Sequence, residues 1–463
     1  MAMVALGICL FFAPATVNGD GLGYLNAASA AHSAWEGALN YPGHLGYVPL
    51  LVSLRQLFRL GPYPRDLLGV ARTASAVALA IATFAIARTA RRRGANPFLC
   101  ALGFACSFGA IAAGADVESY AAALAAISLA LWFAVEDTAS SSFAAALMTA
   151  LAVLFHIENV LLMVPIVLIL SRRGRYLFAT IALIAVPYAL MLSENGARWL
   201  GGAGHGLHYP ISWRTPGIAL YGICKALVYS PYPYEASAFD VGKMFLLGLG
   251  ALALLIHGWR GAWRSAPRAL PLGRGPSLAW LVLYGAVGFG FFPSDQERWI
   301  FLLPLFWISV AASATKSASI AIALILSANL LYYLPIARRS ETLEKAHAVA
   351  PLVRDGDLLI SPGNGWDEYV GFDERMELDR FPLVYYAGKL GGKEALIRAL
   401  AEAVTHARDR GARVLLIRLD DDRDPMGWKD LHGFGIDRTS IDQLLPSGRR
   451  VMLAPNVYAL TSF

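Results

Sequence analysis

Charged side chains are what this sequence has least of: Asp, Glu, Lys and Arg make up 16% of its 463 residues, where a soluble globular chain carries about a quarter. With 57% of residues hydrophobic, water is excluded as the main solvent for most of the chain. Cysteine is scarce too. Cys9, Cys100, Cys106 and Cys224 lie in apolar segments without paired spacing, which excludes a disulfide framework and a zinc site. The net charge of +6 comes largely from short arginine clusters between apolar runs. That pattern orients a membrane protein and argues against nucleic acid as a partner. Charge becomes dense only from Arg338 onward, so composition divides the chain into a membrane domain, 1–337, and a second domain, 338–463.

Uncharged or nearly uncharged stretches suited to crossing a bilayer run at 1–17, 67–87, 95–114, 117–135, 140–156, 158–171, 176–193, 241–256, 277–293, 298–315 and 317–336, which predicts about eleven spans. The first lacks the basic flank of a signal peptide and reads as a helix short for a full crossing, which leaves open a start upstream of Met1. Arginines gather at 88–93, at 172–175 and at 260–274, and all three clusters fall on one face if the N-terminus is inside. The positive-inside rule makes that face cytoplasmic and places outer loops at 18–66 and 194–240. Counting 43–58 as a further span would turn Arg88–Arg93 outward, so this stretch is predicted to be an interfacial helix. The segment 216–240 is predicted to stay outside as well, since it carries Lys225, three prolines and four tyrosines; both segments are placed to roof a cavity. An odd number of spans leaves the tail extracytoplasmic. There 357–362 and 413–419 read as buried strands and 393–411 as an amphipathic helix ending on glycine, a small α/β domain. The Gly-rich stretch 361–369 lacks a phosphate-loop lysine and reads as a turn.

Charge near lipid is costly and usually tied to function, and here the acids collect at the outer ends of the spans. The outer loops carry Asp20, His32, Glu36 and His44, then Asp116 and Glu118, then His156 and Glu158, then Asp295, Glu297 and Arg298. Asp20 sits in VNGDGLGYL directly after the first apolar run, ahead of a loop returning through YPGHLGYVPL. An acidic second outer loop, ERWIFLLPLFWI and VRDGDLLISPGNGWDEYVGF follow in order. In this arrangement the chain resembles the GT-C superfamily of glycosyltransferases, specifically bacterial relatives of protein O-mannosyltransferases and of the lipid A aminoarabinose transferase. The resemblance covers the organisation of most of the chain. It implies a mainly α, polytopic bundle in the bacterial inner membrane and Asp20 as the catalytic base. It further implies transfer of a sugar from a polyprenyl-phosphate donor to an unspecified glycan, lipid or protein acceptor. Asp20 is followed by Gly21 where many members have a second acid, which weakens any carry-over of that acid.

The chemistry is consistent with that implication. Transfer from a lipid phosphate needs a base for the acceptor hydroxyl and fixed cations for the departing phosphate. An inverting displacement needs no covalent intermediate, so paired nucleophilic carboxylates are unnecessary. Asp20, Asp116 and Glu118 are the candidate catalytic acids; Arg298, Arg55 and Arg72 are the candidate cations, and Tyr24, His44, His156 and Glu158 the candidate substrate contacts. No cofactor is expected, although the Asp-x-Glu spacing of Asp116 and Glu118 would admit a divalent metal. Blander readings stand beside these. Asp20 also fits a solvated residue at a helix C-terminus, Asp116 and Glu118 a cap and dipole partner, and His156 and Glu158 hydrogen-bonded interface residues. Arg55 and Arg72 also fit snorkelling side chains, and the aromatics of 209–234 a membrane belt. A multi-span transporter or lipid flippase is the alternative from another class, disfavoured by the absence of an internal repeat. A non-catalytic membrane scaffold is the third.

Overall fold

The computed structural model describes the whole chain except residues 18, 41–43, 196–211, 232–236, 265–271, 292, 314, 339–340, 364–368, 371, 373–374, 377, 391–392, 418–430, 433–434, 438, 442–444, 446–449, 456 and 461–463. Parts of the expected outer loop 194–240, the Pro42–Gly43 return and most of the Gly-rich turn therefore lie outside the described residues. The chain forms two compact units, Met1–Arg339 and Ser340–Phe463.

The first unit is a bundle of apolar helices, and the chain is a multi-pass membrane protein. Its early helices are α1 (Ala2–Phe11), α2 (Gly19–Ala30), α3 (Ala34–Asn40), α4 (Tyr47–Leu57), α5 (Pro64–Arg92), α6 (Pro97–Cys106), α7 (Phe108–Ala115), α8 (Ser119–Glu136) and α9 (Ala139–Phe155). Among the described residues five helices are long and apolar enough to cross a bilayer: α5, α8, Arg173–Glu194, Ala238–Arg260 and Lys316–Ala337. The pair α6 and α7, bent by 68°, passes the same test when the two helices are counted together. The other five expected crossings coincide with shorter segments, α1, α9, Ile157–Ile169, Arg274–Gly290 and Leu303–Ser313. Two of these are shortened by 3-10 turns, over Ile157–Leu162 in one and over Gln296–Arg298 and Ile300–Leu302 ahead of the other.

Small residues decide how closely the helices pack. Alanines dominate the buried faces of α5 and α8, which lie along each other, with α9 against α8. Thr83 and Thr89 return their hydroxyls to the carbonyls of Leu79 and Ala85 at 2.8 and 3.0 Å, so neither is left unsatisfied in the apolar interior. Pro64 opens α5 where its missing N–H costs nothing, and Gly94, at φ +72, turns the chain after it.

The bend between α6 and α7 has an identifiable cause. Ser107 takes an extended conformation and donates to Gly103 O at 2.9 Å, while Trp307 Nε1 donates to its Oγ at 3.0 Å. The Cys106 carbonyl, released from the helical ladder, accepts from Asn329 Nδ2 at 3.0 Å. Asn329 opens a π-helical turn, Asn329–Tyr333, in the last long helix. On the turn before the bend, a Cβ at Gly103 would lie 2.2 Å from the Trp307 ring. Gly103→Val is therefore expected to cost about 1–3 kcal/mol through overpacking. Thermal unfolding in detergent would show this as a lowered Tm, and an unchanged Tm would mean that Trp307 yields.

The predicted interfacial stretch 43–58 appears as α4, which buries Tyr47, Val48, Leu51 and Val52 and packs on α2 and α3. The stretch 216–240 begins as a helix, Thr215–Leu227, seated on α7 and on the turn Gln296–Arg298. Gly222 permits that approach, since a Cβ there would meet Pro293 O at 2.2 Å.

The second unit carries a five-stranded sheet in the order β2-β1-β3-β5-β4, with β1 Leu358–Ser361, β2 Asp379–Pro382, β3 Val414–Ile417, β4 Arg450–Ala454 and β5 Val457–Leu460. The first three strands are mutually parallel, and β5 runs antiparallel to β3 and β4. The helix Lys393–Asp409 buries Leu396, Leu400 and Val404 and closes at Gly411, φ +73. Arg413 ties the start of β3 to the turn before β1 through Asp357 at 2.6 Å.

Candidate active site

Asp20 lies in the first turn of α2, exposed, a short link after α1 ends at Phe11. It is thus at a helix N-terminus, where the backbone dipole favours a carboxylate, and the reading of a C-terminal solvated residue is set aside. Its charge acts on Glu118, Glu297, Asp295 and His44, which places it among those groups.

Beside it is a cavity of about 210 Å³. Its described walls include Pro14 and Thr16 after α1, Gly109, Ala112 and Ala113 of the bent α7, Asp116, Glu118 and Tyr120, Gln296, Glu297 and Ile300, and Tyr333 of the π-helical turn. Asp116 ends α7 and is buried; its Oδ1 accepts from Val117 N at 2.8 Å and lies 3.7 Å from Arg72 Nη2. Arg72 also donates to Thr16 O at 2.9 Å, which pins the link after α1. Glu118 precedes α8 at the N-cap position, yet its side chain makes no cap bond. Both of its carboxylate oxygens are buried without a hydrogen-bond partner among the described residues. A capping hydrogen bond therefore does not hold this side chain, although its place at the start of α8 keeps it near the positive end of the helix dipole.

The remaining candidates continue from this cavity. Tyr24 Oη is 3.4 Å from Ser119 Oγ, and its ring sits edge-on to His44 at 5.2 Å. His44 Nδ1 donates to Phe155 O at 2.8 Å, and burial holds its basicity below that of a free imidazole. The His44 and His156 rings are 5.2 Å apart, and His156 lies 4.8 Å from Tyr120. Glu158 pairs with Arg298 Nη1 at 2.5 Å, while Arg298 Nε is buried without a partner among the described residues. The structure thus gathers Asp20, Asp116, Glu118, Tyr24, His44, Arg72, His156, Glu158 and Arg298 into one contiguous set.

Arg55 is apart from them. Its guanidinium donates to the carbonyls of Ala28, Ser29 and Ala31, 2.8 Å from the first, so it closes the C-terminal end of α2. Three of its N–H donors are thus given to backbone carbonyls.

Three residues absent from the expected set line or border the cavity: Glu297, Asp295 and Tyr120. Burial first, then the charges of Asp295 and Asp20, push the Glu297 carboxyl up to about 8, against the pull of a Tyr120 hydrogen bond and of Arg298. Burial likewise raises Asp295. Asp295 and Glu297 stand in the sequence as acids at the mouth of a span beside Arg298, which alone takes a site role there because a phosphate needs a cation; Tyr120, within an apolar helix, carries no such signal. Among the described residues no three His, Cys, Asp or Glu are grouped as metal ligands would be. Asp116 faces an arginine instead.

No family model matches the chain, and no curated protein matches it. Solved structures do. ArnT from Cupriavidus metallidurans bound to undecaprenyl phosphate is 12% identical, with a TM-score of 0.57 over 99% of this chain and 96% of that one. The apo state of the same protein is 13% identical over the same shares, with a TM-score of 0.48. The first likeness spans nearly the full length of both chains, and the chain shares the fold of that ArnT structure.

Proposed function

We propose that this protein is a membrane glycosyltransferase that moves a sugar from a polyprenyl-phosphate donor to an acceptor on the outer face of the bacterial inner membrane. The observation that carries the reading is the position of Asp20: an exposed carboxylate at the start of α2, near a cavity whose walls carry Asp116, Glu118 and Glu297, in a fold shared along its length with a protein bound to undecaprenyl phosphate. In this reading Asp20 takes the proton of the acceptor hydroxyl as that oxygen attacks the anomeric carbon. The carbon's bond to the phosphate oxygen breaks with inversion, and the departing lipid phosphate keeps the electron pair. Arg298 offers the buried Nε–H and the charge that meet the phosphate, with Glu158 holding its other end. No step is assigned to a metal. Purified protein in nanodiscs should transfer from at least one of a panel of polyprenyl-phosphate sugars; failure with every donor, in protein shown to be folded, would remove the assignment.

The sidedness belongs to the same proposal. The arginines at 88–93 lie on the cytoplasmic face, and the unit Ser340–Phe463 lies outside. Reporter fusions at Gly94 and after Phe463 should report opposite compartments. The same compartment for both would refute this topology, and with it an outer location for Asp20.

A further inference from the structure

The arginine clusters orient the chain, yet the first of them also forms a pocket, which orientation alone does not require. Arg88, Arg91 and Arg92, in the closing turns of α5, line a cavity of about 470 Å³. Cations in the last turn of a helix are favoured by the backbone dipole, and that accounts for Arg91 and Arg92. Arg88 lies one turn earlier and half-buried, its Nε enclosed, and among the described residues it makes no hydrogen bond or ion pair. It is held instead over the ring of Trp132 in α8, with Cζ 5.5 Å from the centroid. Trp132 Nε1 donates to Glu136 Oε1 at 3.0 Å, and the same oxygen lies 3.6 Å from Arg92 Nη2. Asp137, the next acid along the chain, accepts from Ser171 N and Oγ at 3.1 and 3.0 Å. Among the described residues the three guanidiniums thus meet a single carboxylate, that of Glu136.

The helix face leading away from this pocket is apolar and open. Val77, Ile81 and Phe84 are exposed, and with Arg88 and Arg92 they recur every three or four residues, which sets them along one face of α5. Phe84 packs edge-on against Trp132 at 5.7 Å, so the ring that carries Arg88 also borders the apolar stripe. An apolar stripe ending on cations in excess of their acid is complementary to an amphiphilic anion. A free phosphate would use the arginines and leave the stripe unused. A zwitterionic lipid would use the stripe but carry its own cation to the arginines.

We propose that this end of α5 is a binding site for an anionic phospholipid, with its phosphodiester held by Arg88, Arg91 and Arg92 and an acyl chain laid along Phe84, Ile81 and Val77. Paired guanidinium N–H groups match two phosphate oxygens, and basic pockets at the head-group level are where such lipids are recognised. Trp132 is a positioning residue for Arg88, and Glu136 for Trp132 and Arg92. Assignment to the inner leaflet rests on the sidedness proposed above; the site itself does not.

Native mass spectrometry of the full chain in neutral detergent, titrated with phosphatidylglycerol or with phosphatidylcholine of the same acyl chains, tests the site in either orientation. The wild type should bind its first phosphatidylglycerol about tenfold more tightly than phosphatidylcholine, the order expected of hydrogen bonds between charged partners. Arg88→Gln should abolish that preference. Arg91→Gln, at an exposed position, should lower it roughly fivefold, the contribution of one arginine at an anionic surface, and it decides the matter should Arg88→Gln fail to fold. Arg172→Gln, an exposed arginine of the second cluster, should leave it unchanged. Millimolar inorganic phosphate should not displace the bound lipid. Equal affinity for the two lipids, or equal losses in Arg91→Gln and Arg172→Gln, would overturn the site in favour of diffuse charge. Displacement by phosphate would overturn the lipid and leave a pocket for a small anion.

Discussion

Asp20→Asn is expected to lower sugar transfer by roughly 10²–10⁴-fold, the usual cost of losing a general base. The amide keeps the size and most of the hydrogen bonding of the carboxylate but has no useful proton affinity. Asp20 is exposed in the first turn of α2 and supports no packing, so expression and Tm should stay near wild type. Donor affinity should persist or rise slightly, since one negative charge near the phosphate has gone. The comparison to make is kcat against donor Kd in the same preparation. Wild-type kcat in Asp20→Asn would overturn the base assignment whatever the donor.

Arg298→Ala should behave differently, with donor affinity and transfer falling together by about 10²–10³-fold, because ground state and departing phosphate lose the same partner. Truncation has a second effect that must be separated. It leaves Glu158, whose side chain is 11% exposed, as a buried carboxylate without its arginine, and breaking a buried pair in this way costs about 3–5 kcal/mol. The double variant Arg298→Ala with Glu158→Gln removes the orphaned charge. It should recover most of the lost Tm without recovering donor binding. Recovery of both would assign Arg298 to architecture alone.

Composition and hydropathy made the two-part organisation and the apolar helices legible, because a bilayer demands long uncharged stretches and the tail has none. Strands β1 and β3 and the helix Lys393–Asp409 were legible for the same local reason, an apolar run or an amphipathic period bounded by turn residues. Segment lengths were not. Whether 298–315 runs as one helix depends on 3-10 turns at Gln296–Arg298 and Ile300–Leu302. Those turns are set by how Trp299 packs under Gly222 and Gly288, contacts between residues far apart in the chain. In the candidate site, polar residues at loop mouths could be named one by one, but their partners could not. Arg55 looked like a free cation until three carbonyls of α2 were found around it. Glu297 could be named as an acid at the mouth of a span, but not that it shares a cavity with Glu118 and Tyr120.

The amide of Asn329 touches more than the broken helix. Besides Cys106 O it reaches Leu227 O at 3.4 Å, and its Oδ1 accepts from Tyr229 N at 2.9 Å. Four residues on, Tyr333 lies in the cavity wall, and Ala337 O accepts from Ala15 N at 2.6 Å, next to Thr16 in the opposite wall. One late segment therefore ties together parts of the first unit that are far from it in sequence, and it does so after every earlier helix of that unit has been synthesised. During biosynthesis the cavity stays unlatched until that segment arrives, so a chain stopped before Thr315 would insert its earlier helices yet never close the chamber around Asp116 and Glu118.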